Sequence, residues 1–141
     1  MSYTTTTEKQ TFNLGKALAK NLNGGETILL QGNLGSGKTI LTKGIAAGLN
    51  IKKTITSPTF VLFKVYPVKK HRTIKRLVHA DCYRLTDGQA ILDAGLEEYI
   101  GNKDTLVIIE WGEKIKTIIP TKTIKIIFKQ RGKIRTLNIS C

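Results

Sequence analysis

The chain is poor in cysteine, in acidic residues and in long apolar runs, and each shortage removes a class of protein. Two cysteines, Cys82 and Cys141, show no metal-ligand spacing and do not make a disulfide scaffold, so free thiols in a reducing cytoplasm are expected. No run approaches the ~20 apolar residues that span a bilayer, so no membrane association is expected. The first residues, Met1-Ser2-Tyr3-Thr4-Thr5-Thr6-Thr7, lack the basic and apolar regions of a secretory signal. No repeat, low-complexity linker or composition break divides the 141 residues, and one compact domain over 1–141 is expected. The strands also lack the aromatic residues on which single-stranded nucleic acids stack.

Basic residues are in excess. Against 10 Asp+Glu stand 23 Lys+Arg, a formal charge of +13. They crowd Lys69-Lys70-His71-Arg72 with Lys75 and Arg76, then recur at Lys122, Lys125, Lys129, Arg131, Lys133 and Arg135. The balance suits polyanionic partners, RNA or an acidic protein face, and equally suits a composition that uses lysine freely on a solvated surface.

The most informative segment is Gly32-Asn33-Leu34-Gly35-Ser36-Gly37-Lys38-Thr39, preceded by apolar Thr27 to Leu30 and followed by a helix-compatible stretch from Lys38 to Leu49. Strand, glycine-rich turn and helix in this order are the context that a phosphate-binding loop requires. The glycines let the backbone turn and present successive N–H groups to a polyphosphate. The helix beginning at Lys38 points its positive dipole end at the same anion. Lys38 is placed to reach the terminal phosphates, and the Thr39 hydroxyl to bind the accompanying magnesium. A nucleoside triphosphate ligand is expected. Asn102-Lys103-Asp104 lacks the spacer residue of the guanine-reading signature, and no Asp-x-x-Gly follows the later strand, so ATP is the default nucleotide.

Other elements follow from periodicity. Thr7-Glu8-Lys9-Gln10 reads as a capping box opening a helix through Leu22, closed by Asn23-Gly24-Gly25. Runs 59–66 and 73–83 are expected to pair as a hairpin, 90–100 to form a short helix, and 105–109 a buried strand. Residues 113–119 suggest a helical turn closed by Pro120, and 124–128 with 134–139 a closing hairpin. The expected fold is α/β, a P-loop NTPase-like three-layer sandwich whose mixed, mainly parallel central sheet carries antiparallel edge hairpins.

A triphosphate site needs an acid at the carboxyl end of a neighbouring strand. Glu110, after the apolar run 105–109, is the favoured magnesium ligand opposite Thr39. Asp81 closes the second run of the first hairpin; it suits either orienting or deprotonating an attacking water, or pairing with Arg84. Ser57-Pro58-Thr59 suits strand capping better than sensing of a γ-phosphate. Trp111 alone reads as core or interface.

Taken together, residues 32–39, Ser-Pro-Thr-Phe at 57–60, His-Ala-Asp-Cys-Tyr-Arg-Leu at 79–85, Gly-Leu-Glu-Glu-Tyr at 95–99 and Ile-Glu-Trp at 109–111 resemble the TsaE (YjeE) family. That family is the bacterial ATPase needed for threonylcarbamoyladenosine in tRNA. The resemblance implies ATP hydrolysis, weak in isolation, that resets a TsaB–TsaD complex, so tRNA is met indirectly; the charge leaves direct tRNA contact open. Carried over by position, Leu34, Gly35, Ser36, Gly37, Lys38 and Thr39 would hold the phosphates, and Thr39 with Glu110 the magnesium. Lys38 and Asp81 would be catalytic, Asp81 as acid–base. Ser57 to Phe60 would be a first switch and Glu110-Trp111 a second. Glu8 and Arg135 fall near nucleotide-contacting positions. Asn33 departs from the family's usual Asp. A small-molecule kinase would need an arginine-bearing lid, for which no segment is long enough, and a pure RNA-binding module is the other rival.

Overall fold

The computed structural model describes residues 1–58, 61–85 and 88–141. Seven strands form one sheet in the order β1-β7-β6-β2-β5-β4-β3. In chain order they are β1 (Ser2–Thr5), β2 (Thr27–Gln31), β3 (Phe63–Pro67), β4 (Arg76–Asp81), β5 (Thr105–Glu110), β6 (Ile124–Arg131) and β7 (Ile134–Ser140). The helices are α1 (Glu8–Ala19), α2 (Lys38–Gly48) and α3 (Gln89–Asp93), with 3₁₀ segments at Leu96–Glu98 and Gly112–Ile118.

The centre, β6-β2-β5-β4, is parallel, while β3, β7 and β1 add antiparallel edges. This is the mixed sheet with antiparallel edge hairpins read from the sequence. The apolar runs of β2 and β5 fit strands buried on both faces: every residue of β5 is buried. Alternation sends Ile28, Leu30, Leu77, Leu106 and Ile108 to a core beneath α1 and α2. Leu29, Val78, Ala80, Val107 and Ile109 face the opposite core, with Ile91, Leu96 and Ile115. No helix among the described residues is long and apolar enough to cross a membrane.

Several boundaries differ from expectation. An unexpected strand, β1, opens the described chain; Ser2 to Thr5 have no apolar alternation and are strand only because Tyr3 pairs with Leu137 and Thr5 with Arg135. The cap of α1 is shifted by one residue on its return side: Thr7 accepts from the Gln10 N–H at 3.1 Å, but the Gln10 amide accepts from Thr6 N at 2.7 Å. The helix expected over 90–100 is broken at Gly95, whose φ of 91° leaves α3 and a separate 3₁₀ turn. In the first hairpin β3 begins at Phe63 and β4 at Arg76, later than expected. Thr59 and Phe60, part of the expected run and of the expected first switch, lie outside the described residues, as do Thr86 and Asp87. Asn102 to Asp104 form a structural turn at the amino end of β5, where Asn102 Nδ2 donates to Glu98 O and Asp104 pairs with Arg76 at 3.7 Å.

Helices α1 and α2 meet through backbone. A Cβ at Gly44 would fall 2.1 Å from Phe12 O, and one at Gly15 would fall 2.5 Å from Leu41 O. Glycine there is required by proximity, not by helix preference. Gly44→Ala adds about 1 kcal/mol of helix propensity, but the overpacking meets a carbonyl that cannot rotate away, a cost of about 3 kcal/mol. The expected net result is destabilisation by about 2 kcal/mol, measured as a lowered urea midpoint at unchanged m-value.

A candidate nucleotide cleft at the carboxyl end of the parallel strands

Strands β2, β5 and β4 run parallel and end at Gln31, Glu110 and Asp81, with Asp81 opposite Glu110 in register. The glycine-rich loop leaves β2 at this end. Gly37, at φ 107°, is in the left-handed region that only glycine adopts at low cost, and it turns the chain into α2 at Lys38. The loop, β4, β5, α1 and β7 together enclose a cleft of about 250 Å³.

Of the residues singled out in the sequence, Glu8, Leu34, Gly35, Gly37, Lys38, Thr39, Asp81, Glu110 and Arg135 all line this cleft. Ser36 does not. Its side chain is buried on the far side of the loop, its Oγ 2.9 Å from where a Gly32 Cβ would stand, and its N–H donates to Asn33 O at 3.2 Å. Leu34 is the exposed tip of the loop. Arg84 lines an adjoining groove of about 210 Å³ with Leu34, Ser57, Pro58, Asp81 and Tyr83.

Lys38 is buried, and its Nζ donates to Gly32 O at 2.5 Å while lying 4.0 Å from the centre of the Trp111 ring. Burial holds the ammonium below the ordinary lysine range, and the carboxylates of Glu110, Asp81 and Glu113 pull it back up. Trp111 adopts φ 58°, ψ 47°, a left-handed conformation that costs a non-glycine residue about 1 kcal/mol. Its ring lies 4.9 Å from Tyr83. A cation–π contact of this partly buried kind contributes about 1 kcal/mol, enough to offset the backbone strain. Trp111 is therefore part of the cleft and not a plain core residue.

The two acids are held differently. Asp81 accepts from Tyr83 N at 2.9 Å and from Ser57 Oγ at 3.3 Å, which fixes its carboxylate at the cleft wall. The alternative of a salt bridge to Arg84 is overturned: Arg76 with Asp104 is the one Lys/Arg ion pair among the described residues. Glu110 is buried and its Oε2 is 2.7 Å from His79 Nε2, itself fully buried. Sequence reading missed His79. Two residues before Asp81 on β4, it shares that strand face, and parallel pairing with β5 brings it to Glu110.

The donor set suits a hard cation poorly served by protein alone. No group of three or more His, Cys, Asp or Glu side chains able to hold a metal is present among the described residues. Glu110 shares one oxygen with His79, and Thr39 offers a hydroxyl at the same cleft. Such a pair fits magnesium, which usually takes one or two protein oxygens and completes its shell with phosphate oxygens and water.

Arg135 reaches the loop from β7. A Cβ on Gly37 would lie 3.3 Å from Arg135 Cδ, and the Arg135 Nε is buried without a protein partner. Glu8 is exposed at the first turn of α1.

Fold and cleft define a mixed α/β protein with a glycine-rich strand-to-helix loop facing two strand-end carboxylates. The family profile "Threonylcarbamoyl adenosine biosynthesis protein TsaE" matches residues 5–137. A Streptomyces coelicolor protein named tRNA threonylcarbamoyladenosine biosynthesis protein TsaE is 41% identical over 71% of this chain and 66% of its own. The Bacillus subtilis protein of that name is 33% identical over 94% of this chain and 79% of its own. The crystal structure of Bacillus subtilis YdiB superposes with a TM-score of 0.80 at 28% identity, over 99% of this chain and 83% of that one. The chain belongs to the TsaE family. It spans just under two thirds of the length of some relatives, 66% of the Streptomyces one and 64% of those from Mycobacterium.

Cys82 follows Asp81 and is fully buried; burial, with the Asp81 charge, pushes its thiol up to about 12. Cys141 is exposed. A thiolate is the reactive form, so at pH 8 Ellman's reagent is expected to titrate one thiol in the native protein and the second only after unfolding. Two fast thiols in the native state would contradict the packing around the end of β4.

Proposed function

We propose that this protein is a magnesium-dependent ATPase of tRNA threonylcarbamoyladenosine synthesis, weak alone and working with a TsaB–TsaD pair whose complex it resets. The observation that carries the reading is the convergence of Lys38 and Thr39 of α2, Asp81 of β4 and Glu110 of β5, three separate stretches of the fold, on one cleft at the loop. A triphosphate in that cleft would meet the amino end of α2 and the Lys38 ammonium, which neutralise the charge on the transferring phosphoryl group. Magnesium, when bound by Thr39 and Glu110, supplies Lewis-acid neutralisation of the same oxygens. Asp81, held by Tyr83 N and Ser57, orients a water in line with the terminal phosphate and accepts its proton. Glu8 and Arg135 contact the remainder of the nucleotide at the open side.

Lys38 would exchange its present partners, Gly32 O and the Trp111 face, for phosphate oxygens. The exchange gives the Trp111 segment a direct way to sense an occupied cleft and to pass that to a partner protein. The adjoining groove beside Arg84 is open on the same side.

Substitutions separate the roles. Lys38→Ala is expected to abolish the calorimetric signal of magnesium–ATP binding. Asp81→Asn is expected to bind ATP but release phosphate at least about 100-fold more slowly, the usual contribution of a positioned acid–base group. Glu110→Gln, which can still hydrogen-bond His79, is expected to bind weakly and lose hydrolysis. Wild-type turnover in all three variants, measured with the partner proteins present, would remove the assignment.

A further inference from the structure

The nucleotide cleft occupies one end of the sheet; a separate concentration of positive charge lies at the other. Between Glu26 and Asp81 the chain has no Asp or Glu at all, while it has ten Lys and Arg. Two of the segments in that interval come together where α2 ends and β3 passes to β4. There a groove of about 330 Å³ is lined by Lys52, Lys53, Lys69 and Lys70 with Asn50 and Pro67 among its walls. Arg72 and Lys75 are exposed on the same turn.

The groove is built, not draped. Asn50, in a left-handed conformation at φ 61°, closes α2 and donates from Nδ2 to Lys70 O at 3.4 Å, linking the two segments. Val68 and Ile74 are buried in the core on either side of the turn, and Val68 N donates to Lys75 O at 2.8 Å. His71 Nδ1 accepts from the Thr73 and Ile74 N–H groups at 3.1 and 2.9 Å, and Thr73 Oγ1 donates to Asn23 O. Anchored in this way, the turn loses little further entropy when it meets a partner.

Its charges are also unspent. Among the described residues no carboxylate pairs with Lys52, Lys53, Lys69, Lys70, Arg72 or Lys75; Asp104 pairs with the neighbouring Arg76. Several unneutralised cations on two fixed segments form a surface for an anion of regularly spaced charge. Among the described residues the exposed large apolar side chains are Met1, Leu34, Val61, Val65, Tyr83, Ile127 and Ile134, and none belongs to these segments. A membrane-inserting face would need them. Phe, Tyr and Trp are absent from these segments, and His71 is engaged by the Thr73 and Ile74 N–H groups, which disfavours stacking of single-stranded bases and favours the sugar–phosphate backbone of a folded RNA.

We infer that the groove formed by Lys52, Lys53, Lys69 and Lys70, with Arg72 and Lys75 on its rim, binds the phosphate backbone of structured RNA, apart from the nucleotide cleft. The choice of RNA over another polyanion rests on membership of a tRNA-modification family; the site itself rests on the geometry above.

The test is fluorescence anisotropy of labelled tRNA with the full chain, titrated in salt between about 50 and 200 mM, where each phosphate contact adds about 0.9 to the slope of log K against log salt on a duplex. A variant with Lys52, Lys53, Lys69 and Lys70 all changed to Glu is compared with one in which exposed Lys9, Lys16, Lys20 and Lys122 are changed to Glu, giving the same change in net charge. The first is expected to weaken binding at least about tenfold and to lower the slope by about two or more; the second is expected to do far less. Both should melt as the wild type does and bind magnesium–ATP equally well. No tRNA binding by the wild type, equal loss in both variants, or competition by polyglutamate as effective as by tRNA would each overturn the inference. RNA binding without ATP binding would leave it standing and sink the ATPase reading instead.

Discussion

The constraint on which the cleft depends is the backbone contact between α1 and α2. With no side chains at Gly15 and Gly44, the two helices approach until the carbonyls of Phe12 and Leu41 fill the space that a Cβ would take. That approach sets more than a helix pair. Thr11, one turn into α1, is buried and its hydroxyl meets Thr5 of β1 at 2.7 Å. Thr5 is in register with Arg135 of β7, and the Arg135 side chain in turn lies against Gly37 at the start of α2. A closed circuit of contacts therefore runs from the loop through α2, α1, β1 and β7 back to the loop. Loosening the helix contact would move Glu8 and Arg135 together with respect to Lys38.

The other wall of the cleft is fixed by parallel pairing. Because β4 and β5 run side by side in register, Asp81 and Glu110 end at the same height, and His79 comes within bonding distance of Glu110. A buried carboxylate with no partner costs several kcal/mol. The imidazole answers that cost for one oxygen and leaves Glu110 at the cleft edge. His79 is thus a positioning residue for Glu110, and its own Nδ1 is buried without a protein partner.

How much of this was legible depended on whether the signal was local. The β2–loop–α2 unit could be read because apolar run, glycine spacing and helix start are contiguous, and β5 because a strand buried on both faces has no polar interruptions. The β6–β7 hairpin was legible from its loose alternation. What escaped was set by contacts distant in sequence. Ser2 to Thr5 look like any polar segment until β7 supplies the ladder. His79 sits in a basic, mixed strand, and only the register with β5 reveals its partner. Trp111 carries no mark of a left-handed backbone, and its place beneath Lys38 follows from the turn after β5. Ser36 was grouped with its neighbours by motif; the turn of the loop sends its side chain the other way. The break at Gly95 was the one local signal passed over.

The two ends of the sheet now divide the electrostatic work. All the residues proposed to meet the triphosphate lie where β2, β4 and β5 end, and there carboxylates temper the cations: Glu110, Asp81 and Glu113 all bear on Lys38. A site with both signs present can discriminate among charge states of its ligand, because an anion must outcompete the resident acids for the ammonium. Asn33 fits this balance. It lies at the loop on the side of Lys129 and Gln130, and as an amide it adds no negative charge beside the proposed phosphate site. At the opposite end no acid lies near the Lys52–Lys70 groove in sequence, so nothing there opposes the approach of a phosphate backbone. A tempered site for one small anion and an untempered surface for a long one are different electrostatic designs. Their separation along α2, ~16 Å for 11 residues at 1.5 Å per residue, exceeds the ~8 Å screening length at physiological salt. Occupying one end therefore leaves the charge felt at the other almost unchanged, and any coupling between the two would have to pass mechanically, through α2 and the glycine contacts that hold it to α1.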